Sequence, residues 1–411
     1  MDDAAGHVAL AAAVIWGAYV VAIVLRGRAA IAAARTFRRE QEERDPYAIA
    51  RDVTLLQPIL SGDRELEATL RENVQALPAN VRFVWLVDEH DEEGRRVAEK
   101  LRNEVLSAGV DERRILIETC PPTSLEENPK SAKLERGLAM TTTTCVGVLD
   151  DDTTVPPTGL ASALAELDVF DLATGLPVYS QGQTFWSALV ADFVNDNACT
   201  TYLPLLRLFP PLSINGMFYV TRTETLRSLG GFAAIRDRLC DDYAVACLYR
   251  DAGKTLRQTV DPQSVGTAVA SAGAYVGLLH RWNRFADQLV RDQPLPVQAL
   301  LFATLALPPL LLWAAIVSGI TATVLESTGW FWLVPALLLA TCSVRALLHA
   351  TVHRRIVPSL PPQRPLRSLF VELLQPVHLL HALVRPTIVW RGRRIKTSRD
   401  GRFRQIDGGR R

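Results

Sequence analysis

Three apolar stretches constrain this chain more than anything else in it. HVALAAAVIWGAYVVAIVL (His7 to Leu25), VQALLFATLALPPLLLWAAIVSGITATVL (Val297 to Leu325) and WFWLVPALLLATCSVRALLHATV (Trp330 to Val352) each approach or exceed the length needed to cross a bilayer core, roughly 20 apolar residues. RGRAAIAAARTFRRE follows the first stretch with no small-residue cleavage site, so an anchor with a basic flank is expected rather than a removable leader. Membrane anchoring is preferred to three long helices buried in a soluble core.

Basic residues set the expected orientation. Arg26, Arg28, Arg35, Arg38 and Arg39 follow the first span and place that side in the cytoplasm. The connector ESTG has no Lys or Arg and suits the outside, and Arg354 and Arg355 return to the inside. The stretch from about Arg51 to Gln293 is then cytosolic. LFVELLQPVHLLHALV (Leu369 to Val384) is apolar but short, and it carries Glu372, Pro376, His378 and His381. It is expected to lie in the interface or re-enter the membrane. The basic tail behind it, WRGRRIKTSRDGRFRQ, should stay cytoplasmic against anionic headgroups.

Over the whole chain the charge is balanced. Lys and Arg number 45 against 44 Asp and Glu, which argues against bulk nucleic-acid binding. The cysteines, 6 in all and without a CxxC pair, fit a reducing compartment and point to neither zinc nor disulfides.

Between the apolar stretches, strand and helix patterns alternate. VTLLQPIL (Val53 to Leu60), VRFVWLVD (Val81 to Asp88), RRILIET (Arg113 to Thr119) and CVGVLD (Cys145 to Asp150) read as buried strands. RELEATLRENVQAL, EEGRRVAEKLRNEVL and SAKLERGLAM read as the helices among them. Repeated βα units predict a mostly parallel sheet covered on both faces, with ligands at the carboxyl ends of its strands. Asp88 and Asp150 stand at two of those ends.

Neither a Gly-x-Gly-x-x-Gly loop nor a Walker lysine loop is present to cradle phosphate. In VGVLDDDTTVPP, Asp150 and Asp152 stand two apart and can both offer oxygens to one hard cation, Mg²⁺ or Mn²⁺. A solvated acidic turn is the plainer use of such a triplet.

The order of motifs adds to this. VTLLQPILSGDRELEATLREN, VWLVDEHDEE, NPKSAKLERG, VLDDDTTVPP, INGMFYVTRTETLRSLGGF, LCDDYAVA and HRW follow one another along the chain. The series resembles the inverting glycosyltransferases of family 2 with a GT-A fold, and within them the ceramide glucosyltransferase branch. It covers about Val53 to Trp282 and extends to the flanking membrane segments. The resemblance implies an α/β, Rossmann-like cytosolic domain with a mostly parallel sheet and with N- and C-terminal transmembrane helices. The corresponding segments are an anchor at 1–28, a cytosolic linker at 29–50, the GT-A domain at 51–284, transmembrane helices at 285–355, and an interfacial helix with a basic tail at 356–411.

By the same resemblance Asp88 contacts the uracil of a UDP-sugar, and Asp150 and Asp152 hold a divalent metal, Mn²⁺ or Mg²⁺. Lys130 lies near the donor, and Asp242 is the general base on the acceptor hydroxyl. Asp241 is the adjacent candidate; both aspartates also suit a helix start. Gly216 and Met217 belong to the acceptor pocket, with Arg281 by the diphosphate and Trp282 by the acceptor. The chain departs from the family's (Q/R)xxRW signature at Leu278, which leaves His280 or Arg284 as stand-ins. An Arg–Trp pair beside a membrane segment also fits an interfacial belt.

The expected activity is transfer of a sugar, glucose first, from a UDP-sugar to a lipid hydroxyl such as that of ceramide, at the cytoplasmic face of the bilayer. A processive polysaccharide synthase and an inactive sugar-nucleotide-binding membrane scaffold are the alternatives.

Overall fold

The structure is a computed structural model, and it describes residues 2–44, 48–325, 330–361, 364–390, 393–397 and 401–405. The ESTG connector and residues 391, 392 and 398–400 of the basic tail lie outside these. The chain divides into two compact units, one built on a sheet and one on helices.

The sheet unit comprises Thr36–Gly182, Leu208–Ala268 and Pro386–Arg411. It begins in the last residues of helix α1 (Asp2–Glu42) and continues through strand β1 (Val53–Ile59), α2 (Leu66–Ala76), β2 (Val81–Asp88) and α3 (Glu92–Ser107). Next come β3 (Ile115–Cys120), α4 (Pro129–Met140), β4 (Cys145–Leu149) and β5 (Thr153–Thr154). After α5 (Pro157–Glu166) and β6 (Leu172–Tyr179), helix α6 (Phe185–Leu205) belongs to the other unit. The sheet unit resumes with β7 (Phe218–Arg222), α7 (Thr223–Ser228), α8 (Asp241–Asp251) and β8 (Leu256–Val265).

These strands form one sheet in the order β3-β2-β1-β4-β7-β6-β8-β5. The pairs β1–β2, β1–β4, β2–β3 and β6–β8 are parallel, as a βα sheet predicts. β7 runs against both neighbours and β5 runs against β8, so the parallel character is interrupted at the far half. Alternation sends Leu55, Phe83 and Trp85 to one face, with α2, α3 and α5, and Leu56, Val84 and Leu86 to the other, with α4 and α8.

Strand β1 lies between β2 and β4, where the order of connections reverses, and a ligand crevice opens at such a point. The ladder to β4 stops at Leu56–Val148, whereas β2 follows β1 to Ile59. Pro58, which has no N–H to donate, falls past the end of the β4 ladder.

The helical unit comprises Met1–Arg35, Gln183–Arg207 and Val269–Arg385. With α1 and α6 it contains α9 (Ala272–Arg291), α10 (Leu295–Leu301), α11 (Leu307–Leu325), α12 (Leu333–Ile356) and α13 (Pro365–Val384). A π-turn over Phe302–Ala306 joins α10 to α11 ahead of Pro308 and Pro309, whose missing N–H groups break the regular ladder. Among the described residues three helices are long and apolar enough to cross a membrane: Ala4–Glu42, Leu295–Leu325 and Leu333–Ile356. α13 is not among them.

The apolar contacts of Tyr19, Ile23, Leu312, Cys342 and Leu369 surround a polar knot. Arg345 lies 3.0 Å from Glu372 and 3.2 Å from Asp196. Ser368 donates to Asp196 at 2.6 Å, and Arg367 pairs with Asp192 at 2.6 Å.

The basic tail returns to the sheet unit as an antiparallel ribbon of β9 (Thr387–Trp390), β10 (Arg393–Thr397) and β11 (Phe403–Gln405). Ile388 and Ile395 face each other in its register and are buried. Its turn pairs with the loop before α8: Arg402 bridges to Arg238 and the Leu239 N–H donates to the Gly401 carbonyl at 3.4 Å.

Candidate active site

The NPK motif begins α4 because each residue suits its place. Asn128 caps the helix by accepting the Lys130 N–H at 2.9 Å, and Pro129 fills the first turn, where no N–H is missed. Lys130 then projects from the second position of the helix. Its ammonium meets Asp150 at 2.7 Å, Asp241 at 3.2 Å and the Gly216 carbonyl at 3.3 Å, so three N–H donors find three acceptors. Burial opposes the charge of Lys130, but Asp150 and Asp241 outweigh it and hold its pKa well above the ordinary lysine range.

One lysine therefore gathers the residue after β4, the start of α8 and the turn before β7. Backbone bonds reinforce the junction, since the Asp150 N–H donates to the Met217 carbonyl at 2.9 Å. The Met217 N–H in turn donates to Asn215 at 3.2 Å, and the Tyr179 hydroxyl reaches the Met217 sulfur at 3.2 Å.

The Asp150–Asp152 turn carries more negative charge than Lys130 offsets. Asp151 accepts the Leu60 N–H at 2.7 Å, and burial followed by the Asp150 charge raises its pKa to about 6. Asp152 accepts the Thr153 hydroxyl at 3.0 Å and the Thr267 hydroxyl at 3.5 Å. Burial, then Asp150 and Asp151, push its pKa up to about 8. Crowded oxygens with unbalanced charge are what a hard divalent cation matches. Among the described residues no three His, Cys, Asp or Glu side chains converge on one point. The donor set therefore fits a cation that takes one or two carboxylates here and fills its other positions with phosphate and water, as Mg²⁺ commonly does.

Asp241 and Asp242 occupy the first turn of α8, where negative charge is favoured by the helix dipole. Asp242 is half-buried. Its Oδ1 accepts the Tyr243 N–H at 2.7 Å and the Cys240 thiol at 2.8 Å. Burial and the neighbouring Asp241 charge nevertheless raise its pKa above the usual carboxylate range. The loop leading to it is pinned by Asn128, which donates to the carbonyls of Arg238 at 2.9 Å and Leu239 at 3.2 Å.

Asp88, at the end of β2, pairs with Lys133 at 2.8 Å. Lys133 is only 2% exposed and also donates to the Ile59 carbonyl at 2.9 Å, tying the ends of β1 and β2 together.

Arg281 and Trp282 belong to the helical unit, within α9. Trp282 stacks on Phe193 with ring centroids 6.2 Å apart. His280 packs on His381 of α13 at 4.6 Å, and Arg284 pairs with Asp287 of its own helix at 3.0 Å, so each stand-in for the missing signature residue is engaged.

The structure thus draws Lys130, Asp150, Asp241, Gly216 and Met217 into one contact set, with Asp152 and Asp242 next to it in sequence. Asn128, Lys133 and Cys240 build the same region and carried no expectation from sequence. Asn128 had a local signal, an Asn immediately before a Pro at a helix start. The partners of Lys133 lie far away along the chain.

Several solved structures are similar. A mannosyltransferase from Pyrobaculum calidifontis, in complex with GDP-mannose and Mn²⁺, is 18% identical over 90% of this chain and 99% of that chain, with a TM-score of 0.49. Glucosyl-3-phosphoglycerate synthase from Mycobacterium tuberculosis, with Mn²⁺, UDP and phosphoglyceric acid, is 16% identical over 59% of this chain and 78% of that one, at a TM-score of 0.35. S. aureus TarS with UDP-GlcNAc is 12% identical over 87% and 99%, at 0.36. No curated protein matches the chain in sequence. The family model for glycosyl transferase family 21 matches residues 14–403, nearly the whole chain, and the protein therefore belongs to glycosyl transferase family 21.

Proposed function

We propose that this glycosyltransferase moves one sugar, glucose first, from a UDP-sugar to a hydroxyl of a membrane lipid such as ceramide, with inversion at the anomeric carbon. The observation that carries this reading is the ammonium of Lys130 between Asp150 and Asp241. It joins a charge-rich aspartate turn to the helix start that presents Asp242, which are the two functions the reaction requires.

In this reading Asp150 and Asp152 hold Mn²⁺ or Mg²⁺. A bound divalent ion would offset the charge that gathers on the departing diphosphate. Asp88, kept in place by Lys133, contacts the uracil, and Lys130 fixes Asp150 at the donor side. Asp242 accepts the proton of the acceptor hydroxyl as its oxygen attacks from the face opposite the leaving UDP. A raised carboxyl pKa makes Asp242 a stronger base than an exposed aspartate. Gly216 and Met217 border the acceptor, and Arg281 and Trp282 serve the diphosphate and the acceptor. In this reading the apolar helices hold the enzyme in the bilayer where a lipid acceptor resides, and the arginines after the first of them favour a cytoplasmic sheet unit.

The test is UDP release by the detergent-purified full chain across a panel of UDP-sugars, with and without Mn²⁺ and a total lipid extract. Release that requires one sugar, the metal and the lipid supports the reading. Metal-dependent release without lipid, together with a lengthening carbohydrate product, replaces it with a polymer synthase.

A further inference from the structure

The two oxygens of Asp242 are in different situations. Oδ1 accepts two hydrogen bonds, from the Tyr243 N–H at 2.7 Å and from the Cys240 thiol at 2.8 Å. Among the described residues no donor reaches Oδ2, which faces the Gly216 turn. A Cβ placed on Gly216 would stand 2.8 Å from the Asp242 Cβ and 3.1 Å from Oδ2, so only a glycine leaves this side open.

We propose that Oδ2 of Asp242 is the atom that takes the acceptor proton, and that Cys240 is the positioning residue that holds the carboxylate for it by donating its thiol to Oδ1. This rests on the reading of Asp242 as the base. In the step itself the hydroxyl proton moves to Oδ2 while the acceptor oxygen bonds to the anomeric carbon. The bond from that carbon to the diphosphate breaks, and UDP departs with the electron pair.

Cysteine suits the position for a chemical reason. A carboxylate that takes strong hydrogen bonds on both oxygens is well stabilised as the anion and is a poor base. The thiol is a weak donor, so it fixes the side-chain rotamer and costs little basicity. The other charged groups acting on Asp242 are Asp241, beside it on α8, and Lys130 from α4. The first raises its pKa and the second lowers it, and neither changes when Cys240 is replaced.

The consequence is a pair of shifts with opposite signs. Cys240→Ser substitutes a stronger donor and moves the acid limb of the kcat profile to lower pH. Cys240→Ala removes the donor and moves the limb to higher pH. Each shift is about half a pH unit, the size of one weak hydrogen bond. In Cys240→Ala kcat falls through loss of the rotamer, while KM for the UDP-sugar stays where it was.

A measurement without substrate runs alongside. The S–H infrared stretch of Cys240 is assigned in full-length protein in detergent by its loss in Cys240→Ser. It is expected to move to higher frequency in Asp242→Asn, whose amide is the weaker acceptor. The pH profiles use UDP-glucose, Mn²⁺ and ceramide-containing vesicles. Opposite shifts together with a moved S–H band support the proposal. Shifts of the same sign in Cys240→Ser and Cys240→Ala, or an S–H band unmoved in Asp242→Asn, overturn it. Near-normal turnover by Asp242→Asn overturns the underlying reading of the base instead, so the two failures are told apart.

Discussion

Each unit of this protein places one cation between two carboxylates drawn from different helices or turns, and the two arrangements differ in what surrounds them. In the helical unit Arg345 lies between Asp196 and Glu372, with side chains at most 4% exposed. The Ser368 hydroxyl and Arg345 together satisfy Asp196. Solvent is excluded there. In the sheet unit Lys130 lies between Asp150 and Asp241, each about a fifth exposed. Asp151, Asp152 and Asp242 add negative charge around it. A closed, buried knot fixes helices to one another, whereas an open knot with more surplus negative charge is a place where a cation and a substrate can still act.

The largest effect expected from breaking this contrast lies in the open cluster. Asp242→Asn keeps the shape and removes the proposed base, and transfer should fall by about 1,000-fold. Equilibrium binding of UDP-glucose in the presence of Mn²⁺ should stay near that of the parent, and a loss of binding equal to the loss of turnover would contradict the separation of roles.

Next in size is Arg345→Met in the closed cluster. It leaves Asp196 and Glu372 buried without their guanidinium, and the folded state should lose about 3–5 kcal/mol. Denaturation in detergent measures it. The molecules that remain folded should turn over normally; a specific kcat defect with unchanged stability would erase the distinction between the two clusters.

Asp152→Asn comes third. Mn²⁺-dependent donor affinity should weaken on the order of 100-fold, read by titration calorimetry. Unchanged affinity would remove the cation from the aspartate turn.

The smallest effect is one of stability against pH. The folded pKa of Asp152 is raised from an unfolded value near 3.8 to about 8. A carboxyl shifted upward stabilises the fold below its unfolded pKa, and that contribution is lost as pH rises through the folded one. Metal-free protein should therefore lose melting temperature by a few degrees from pH about 4 to about 8. Asp152→Asn should show a flatter profile, and a decline of the same steepness would assign the pH dependence elsewhere.

Much of the sheet unit was legible because its signals are local. VRFVWLVD reads as a buried strand, and β2 has the same limits in the structure. β3 starts two residues later than RRILIET implies, because Asp111 caps a short helical turn by accepting the Arg113 N–H and holds those arginines outside the strand. The aspartates at the strand ends were visible for the same reason, since an apolar run followed by acid marks an edge. Helix α6 gave no comparable pattern. FWSALVADFVNDNACTTYLPL is apolar on nearly every side, and its buried Asp192 and Asp196 find Arg367 and Arg345 only far along the chain. The thiol on Asp242 was illegible for a different reason. Two residues apart in sequence do not disclose which oxygen accepts.

The ribbon at the end of the described chain has a consequence in time. The loop that delivers Asp242 is held from one side by Asn128 and from the other by Gly401 and Arg402. All three candidate membrane helices precede Gly401 in synthesis. Closing so long a loop is entropically unfavourable and comes late in folding. A nascent chain thus lacks this brace on the loop before Asp242 until the three candidate membrane helices have been made.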